Sequence, residues 1–177
     1  FEYIYRTRDL AELPGRNYLK IRSEINKFKR NCSSVTESIS KENWAEVKRF
    51  LIEWCEWKGC EGGDPVLAHE KEAVFYAIDH FNELPLRGLA IRVFSRIGAI
   101  ALFEKQTPDT ALVHFEKGLP DCEGIYKVIN QETAALLSKD YTYINRESDL
   151  GVPGMREAKE RLHPHHMVEV YSLKRDS

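Results

Sequence analysis

The sequence predicts one mixed α/β domain of the α+β type, a mostly antiparallel central sheet flanked by helices. Three observations lead there. At 177 residues, 42% hydrophobic and 31% charged, the chain has the size and composition of one globular core. Its apolar residues recur three and four apart up to about residue 81 and then alternate from Leu89 to Glu116, a change from helical to strand period. After that, a helical stretch, a strand, a short helix and a last strand are interleaved.

Residues 1–8, FEYIYRTR, alternate bulky and polar side chains as a half-buried strand does, and Pro14-Gly15 breaks the chain. From about Asn17 a helix places Tyr18, Ile21, Ile25 and Phe28 on one stripe. Around that stripe lie Arg16, Lys20, Arg22, Lys27, Lys29 and Arg30, opposed only by Glu24. Residues 33–39 read as a short strand leading to Ser40, a suitable N-cap, with Trp44, Val47, Leu51 and Trp54 on the next buried helix face. A loop from Gly59 to Pro65 precedes a third helix through Val74, Ala77, Ile78 and Phe81. Leu89–Phe94, Ile97–Glu104 and Thr110–Glu116 are predicted as consecutive antiparallel strands, turning at Ser95-Arg96 and Thr107-Pro108-Asp109. The loop 118–124 leads into a helix on Ile125, Val128, Ile129, Leu136 and Leu137. Tyr141–Arg146 is then a strand, Pro153 opens a short helix, and Met167–Leu173 is expected to be the closing strand.

Bulk properties narrow the functions. A net charge of −2 speaks against a protein that coats nucleic acid, while leaving room for a local basic face. No apolar run approaches the ~20 residues of a membrane span, and no basic-then-apolar leader opens the chain; the expected location is the cytoplasm. The four cysteines, Cys32, Cys55, Cys60 and Cys122, form no recognisable framework and are expected to be reduced thiols. His163, His165 and His166 invite a metal, but adjacent histidines in a strand point to opposite faces, and no metal site is expected.

This order of elements is that of the GNAT acyltransferase fold, in which the strands before and after the central helix splay apart and the donor enters the gap. Three stretches make the resemblance specific. The first runs from His114-Phe115-Glu116-Lys117-Gly118 through Gly124-Ile125-Tyr126 to Ile129-Asn130-Gln131-Glu132. The second is Tyr143-Ile144-Asn145-Arg146-Glu147 with Asp149-Leu150-Gly151, and the third Met155-Arg156-Glu157-Ala158-Lys159 with His163-Pro164. Together they resemble a bacterial family of unassigned function grouped with the C-terminal domain of phosphatidylglycerol lysyltransferase. Members commonly carry two tandem GNAT-like halves, and this chain resembles the second, which fits a start at Phe1 rather than Met. The resemblance therefore implies an N-terminal half as partner. The lysyltransferase relatives move an aminoacyl group from aminoacyl-tRNA to a lipid hydroxyl on the cytoplasmic side of a membrane. By analogy of fold, the expected activity is transfer of an acyl or aminoacyl group to an amine or hydroxyl acceptor.

On that analogy Glu116, at the end of the third meander strand, is the candidate general base, provided burial raises its pKa; otherwise it is a surface partner of Lys117 or Lys105. Tyr126 is the candidate to serve the leaving group, or simply packs. Lys117, Gly118, Gly124, Asn130, Asn145 and Arg146 are candidate donor or substrate contacts, although an Arg near Asp149 also suits a structural clamp. Lys20, Arg22 and Lys27 are candidates for contact with tRNA or another phosphate-bearing ligand, against the plainer reading of a solvated face. The loop Lys117–Gly124 lacks closely spaced small residues, contains Pro120, and puts Asp121 and Glu123 beside a helix start. Those carboxylates would repel a pyrophosphate, so acetyl-coenzyme A is disfavoured as donor and the cofactor is left open. Two other readings stand: a non-catalytic GNAT-like scaffolding or partner-binding domain, and a nucleic-acid-binding module using the basic helix. Oligomeric state is not legible.

Overall fold

The three predicted meander strands form and make up the middle of the sheet. A computed structural model describes residues 1–175. In chain order the elements are β1 (Glu2–Arg6), α1 (Thr7–Glu12), a 3₁₀ turn (Arg16–Tyr18), α2 (Leu19–Asn31), β2 (Ser34–Ser38), α3 (Trp44–Lys58) and α4 (Pro65–Asp79). The meander follows as β3 (Arg87–Val93), β4 (Arg96–Lys105) and β5 (Thr110–Gly118), then α5 (Ile125–Leu137), β6 (Tyr143–Asn145), α6 (Pro153–Glu160) and β7 (His166–Val168). They build one seven-stranded sheet in the order β2-β3-β4-β5-β6-β1-β7. Every neighbouring pair is antiparallel except β5 and β6, which are parallel.

Strand alternation divides the core between two faces. On one, Ile91, Ala101 and Phe103 meet Phe28 of α2 and Ile129 and Leu137 of α5. On the other, Ile100 and Leu102 meet Val47 and Phe50 of α3 and Ile78 of α4. The β3–β5 strands are thus covered on both sides, which explains the nearly unbroken buried run in β4.

Several sequence expectations need correction. Residues 7 and 8 are helical, not strand: α1 turns the chain at once, with the Thr7 hydroxyl donating to the Tyr141 and Thr142 carbonyls at 2.7 and 3.0 Å. Six residues are too few for a helical period to show. Ser40 does not cap α3; a turn intervenes, its N–H donating to Asn43 Oδ1 at 2.9 Å, and the helix starts at Trp44. The closing strand is His166–Val168 rather than Met167–Leu173, because Val168 already pairs with Glu2 at the end of β1. The cysteines are not free thiols: Cys32 pairs with Cys122 and Cys55 with Cys60, at Cα separations of 6.4 and 5.1 Å, within disulfide range. The first pair joins the end of α2 to the loop before α5, a proximity that a separation of 90 residues hides. His165 and His166 do come together, Nδ1 to Nδ1 at 2.7 Å, since His165 lies at a bend just before β7, where strand alternation does not apply.

Candidate functional site

The site is a fork in the sheet. The β5–β6 ladder runs from Thr110↔Tyr143 to Leu112↔Asn145 and stops, while β5 continues to Gly118 beside β4 alone. A bulge lies just past the crotch: Phe103 pairs with Val113 and Leu102 with Phe115, leaving His114 as an extra residue. One extra residue reverses the side-chain parity of the strand beyond it. Ala111 and Val113 belong to the α5 side, whereas beyond the bulge Phe115 joins the α3–α4 side. Glu116 therefore turns toward α5 and Lys117 toward α3 and α4. Neighbours in sequence, they serve opposite faces of the sheet where its edge is open.

Glu116 is 8% exposed. Its Oε2 accepts from Arg146 Nη2 at 2.5 Å and from Asn130 Nδ2 at 3.3 Å. Among the described residues Oε1 has no partner, and Glu116 lines the cavity beside it. Burial pushes the carboxyl pKa up, and Arg146, Lys159 and Lys117 only partly offset that. Burial also works against the Arg146 charge, but Glu116 and Tyr126 outweigh it and keep the guanidinium pKa raised. Arg146 Nη1 is buried with no hydrogen-bond partner among the described residues. Tyr126 as a whole is 46% exposed, yet crowding around its hydroxyl raises the phenol pKa, with Arg146 opposing.

Lys117 has different company. Its ammonium pairs with Glu70 and lies 4.6 Å from the Trp54 ring centre. Burial lowers its pKa, and Glu70 works the other way. Between these two charge pairs opens a cavity of about 630 Å³, walled by Trp54, Trp57 and Leu67 on one side and Tyr126 on the other, with the 117–125 loop as floor.

Of the sequence candidates, Glu116, Lys117, Gly118, Gly124 and Tyr126 line this cavity, and Asn130 and Arg146 support it from behind. Gly124 has a packing reason to be glycine: at φ +90° a Cβ would lie 2.8 Å from the Glu24 carbonyl oxygen of α2. Asn145 is engaged as a brace, donating to Glu2 at 2.6 Å and Gln106 at 3.1 Å while accepting from the Glu147 N–H at 2.8 Å. Arg22 donates to the Leu13 and Gly15 carbonyls, both at 2.6 Å, Lys27 pairs with Glu123 at 2.9 Å, and Lys20 is exposed. Arg146 does clamp a carboxylate, but that of Glu116 across the fork and not that of Asp149 beside it. Asp149 instead bonds Arg156 and Tyr3, each at 2.8 Å, and the Arg156 guanidinium holds its carboxyl well below the usual range.

Glu70, Trp54, Trp57, His114 and Lys159 were not singled out from sequence as site residues. Lys159 donates to the Arg146 carbonyl and, at 3.2 Å, to that of Glu147; burial, reinforced by Arg146, pushes its pKa down to about 8. For His114 and Lys159 the available signal was their place in the matched segments, the first opening at His114 and the tail containing Lys159. Among the described residues no cluster of three or more His, Cys, Asp or Glu side chains is arranged to hold a metal ion.

Known proteins now give this geometry a context. The chain is similar to a conserved protein of unknown function from Bacteroides thetaiotaomicron, 32% identical with a TM-score of 0.88, over 94% of this chain and 56% of that one. It is also similar to L-PGS from Bacillus licheniformis (TM-score 0.62, 15% identity, 92% of this chain and 56% of that one). The ribosomal-protein-alanine N-acetyltransferase of Brucella melitensis (TM-score 0.57, 13% identity) is covered over 99% of its length by 80% of this chain, so the fold is GNAT-like. The chain spans little more than half the length of the first two. No curated protein matches the sequence. The profile for the C-terminal region of phosphatidylglycerol lysyltransferase matches residues 1–174, and the chain belongs to that family.

Proposed function

We propose that the chain is a transferase domain that moves an acyl or aminoacyl group onto an amine or hydroxyl acceptor, with Glu116 as general base. One observation carries this reading. Glu116 has one oxygen anchored by Arg146 and Asn130 and the other free at the wall of an open cavity. A carboxylate held that way is positioned, and burial makes it a stronger base than an exposed one. It would take the acceptor's proton as the acceptor attacks the acyl carbonyl. The Lys117 ammonium, at the cavity lining, would stabilise charge growing on the carbonyl oxygen. Tyr126, its phenol kept protonated by burial of the hydroxyl, would protonate the leaving group. The rival reading, a silent scaffold, would be favoured by a cleft filled with Tyr126 or Leu119. Instead Leu119 packs in the α3–α4 core and the cavity stays open.

For the donor we propose an aminoacyl ester rather than acetyl-coenzyme A. The Ile125 and Lys127 N–H groups at the start of α5 already donate to the Cys122 and Gly124 carbonyls. The Glu24 carbonyl of α2 also closes on Gly124, so a pyrophosphate has little backbone to bind. Asp121 and Glu123 remain anionic neighbours, though each is paired, with Arg96 at 2.6 Å and Lys27 at 2.9 Å. We further propose that a second GNAT-like half works beside this one. The coverage of 56% and the exposed apolar Val170, Tyr171 and Leu173 support a companion. No described helix is long and apolar enough to cross a membrane.

The test offers the protein aminoacyl-tRNAs and acyl-coenzyme A as donors, with phosphatidylglycerol or a primary amine as acceptor, and follows products by mass spectrometry. We expect an aminoacylated product whose rate falls roughly 10²–10³-fold in Glu116→Gln, at a temperature where the variant is folded. No product from any pairing, or a rate indifferent to Glu116→Gln, overturns the proposal.

A further inference from the structure

The fork is bridged by side chains at two levels, and their charges are crossed. At the deeper level β5 supplies the anion Glu116 and the segment after β6 supplies the cation Arg146. At the crotch β5 supplies His114 and the other arm supplies Glu147, the residue directly after Arg146. His114 Nδ1 is 3.2 Å from Glu147 Oε1, and Nε2 is 2.8 Å from Glu104 Oε1 on β4. An ionised carboxylate only accepts hydrogen bonds. With both carboxylates ionised, both ring nitrogens must carry protons to make both bonds, so the two contacts together fit an imidazolium.

The bulge explains how the ring arrives there. His114 is the unpaired residue, placed one step beyond the last β5–β6 ladder pair. Glu147 is equally constrained, its backbone in the left-handed region at φ 59° and its carbonyl accepting from the Tyr3 N–H at 3.1 Å and from Lys159. The Arg146 backbone is fixed in turn by its N–H bond to Tyr3 at 3.0 Å and by Lys159.

We propose that His114 is a positioning residue, a protonated pin that sets the width of the fork and thereby holds Arg146 against Glu116. When His114 loses its proton, one of its two bonds must break, and Glu104 and Glu147 lose the positive charge between them. The fork then loosens, and Glu116 loses its orientation. The titratable groups facing the ring are Glu147 and Glu104, and both raise its pKa, Glu147 first, against the opposing effect of burial. The pin is a property of the unliganded fold; only its consequence for transfer rests on the Glu116 reading above.

Nitrogen-15 NMR of the free protein tests it. The expected spectrum shows a His114 titration midpoint above the ordinary ~6.5, with both nitrogens protonated below that midpoint. Glu104→Gln and Glu147→Gln each shift that midpoint downward. The Arg146 side-chain N–H signal should follow the same midpoint, and its hydrogen exchange should quicken roughly tenfold above it. In His114→Gln, which keeps a donor but cannot titrate, the pH dependence of the Arg146 signal should vanish. A His114 midpoint at or below the ordinary value, or an Arg146 signal that ignores it, overturns the proposal. Both readouts are free of substrate, so they stand or fall apart from any failure to find transfer.

Discussion

The two charge pairs flanking β5 are built from adjacent residues and differ in how they are closed. In Glu116–Arg146 both side chains are enclosed, 4% and 10% exposed, and a second donor from Asn130 completes the anchor. In Lys117–Glu70 the lysine is equally enclosed but its partner is 32% exposed, and the backing is an aromatic ring, not a hydrogen bond. A sealed pair fixes geometry, because neither partner can exchange the other for water. An open pair tolerates a change of partner, since the outer carboxylate can be hydrated when the amine turns to a ligand. The same cavity thus has one wall suited to holding a group rigidly and one suited to responding.

The sharpest way to break that comparison is to remove one charge from each pair. Glu116→Gln leaves Arg146 buried without its anion, a loss of about 3–5 kcal/mol. Lys117→Met keeps the packing of the lysine stem on Trp54 and leaves Glu70 able to meet water, so about 1 kcal/mol or less is expected. Urea unfolding of the two variants measures both. Equal losses would mean that the two walls do not differ in closure.

The floor beneath the pairs offers a somewhat smaller effect. Gly124→Ala forces a Cβ at φ +90° to within 2.8 Å of the Glu24 carbonyl, whereas Gly151→Ala has a comparable φ of +73° with nothing within 4 Å. The first should lose about 2–4 kcal/mol from combined backbone strain and overpacking, the second about 1 kcal/mol from the backbone alone. Thermal unfolding distinguishes them. Similar losses would place the glycine requirement in the dihedral and not in the approach of α2.

The reach of sequence reasoning depends on the range of the interactions. The period-2 alternation between Leu89 and Glu116 is local and two-sided, and the three strands appear with their ends within two residues of expectation. Family resemblance added Glu116 and Arg146 individually, but nothing in either segment announces that they pair across 30 residues. That depends on a bulge, and a single skipped residue at His114 leaves no mark on a hydrophobic pattern in which Val113 and Phe115 keep the period of two although they serve opposite faces. The Cys32–Cys122 proximity and the arrival of Glu70 from α4 are likewise products of packing. The α1 helix was missed for the opposite reason, being too short to carry a period.

The last expected effect concerns pH, and it sharpens the comparison because the two half-buried cations around the sealed pair respond with opposite signs. His114 has a pKa raised in the fold by Glu147 and Glu104. Its contribution to stability is complete below its unfolded value of ~6.5 and is lost as pH rises through the folded value. Lys159 is pushed down to about 8 from 10.5, chiefly by burial. Its charge is unwelcome in the fold, so the stability it withholds at neutral pH is regained as pH rises from about 8 toward 10.5. The urea midpoint should therefore fall as pH rises through the His114 titration and recover as pH climbs from about 8 toward 10.5, giving a minimum between. His114→Gln should flatten the descending side alone, and Lys159→Gln the ascending side alone. A profile that declines steadily through both ranges in the parent protein would show that Lys159 keeps its ordinary pKa and that its bonds to the Arg146 and Glu147 carbonyls do not confine it.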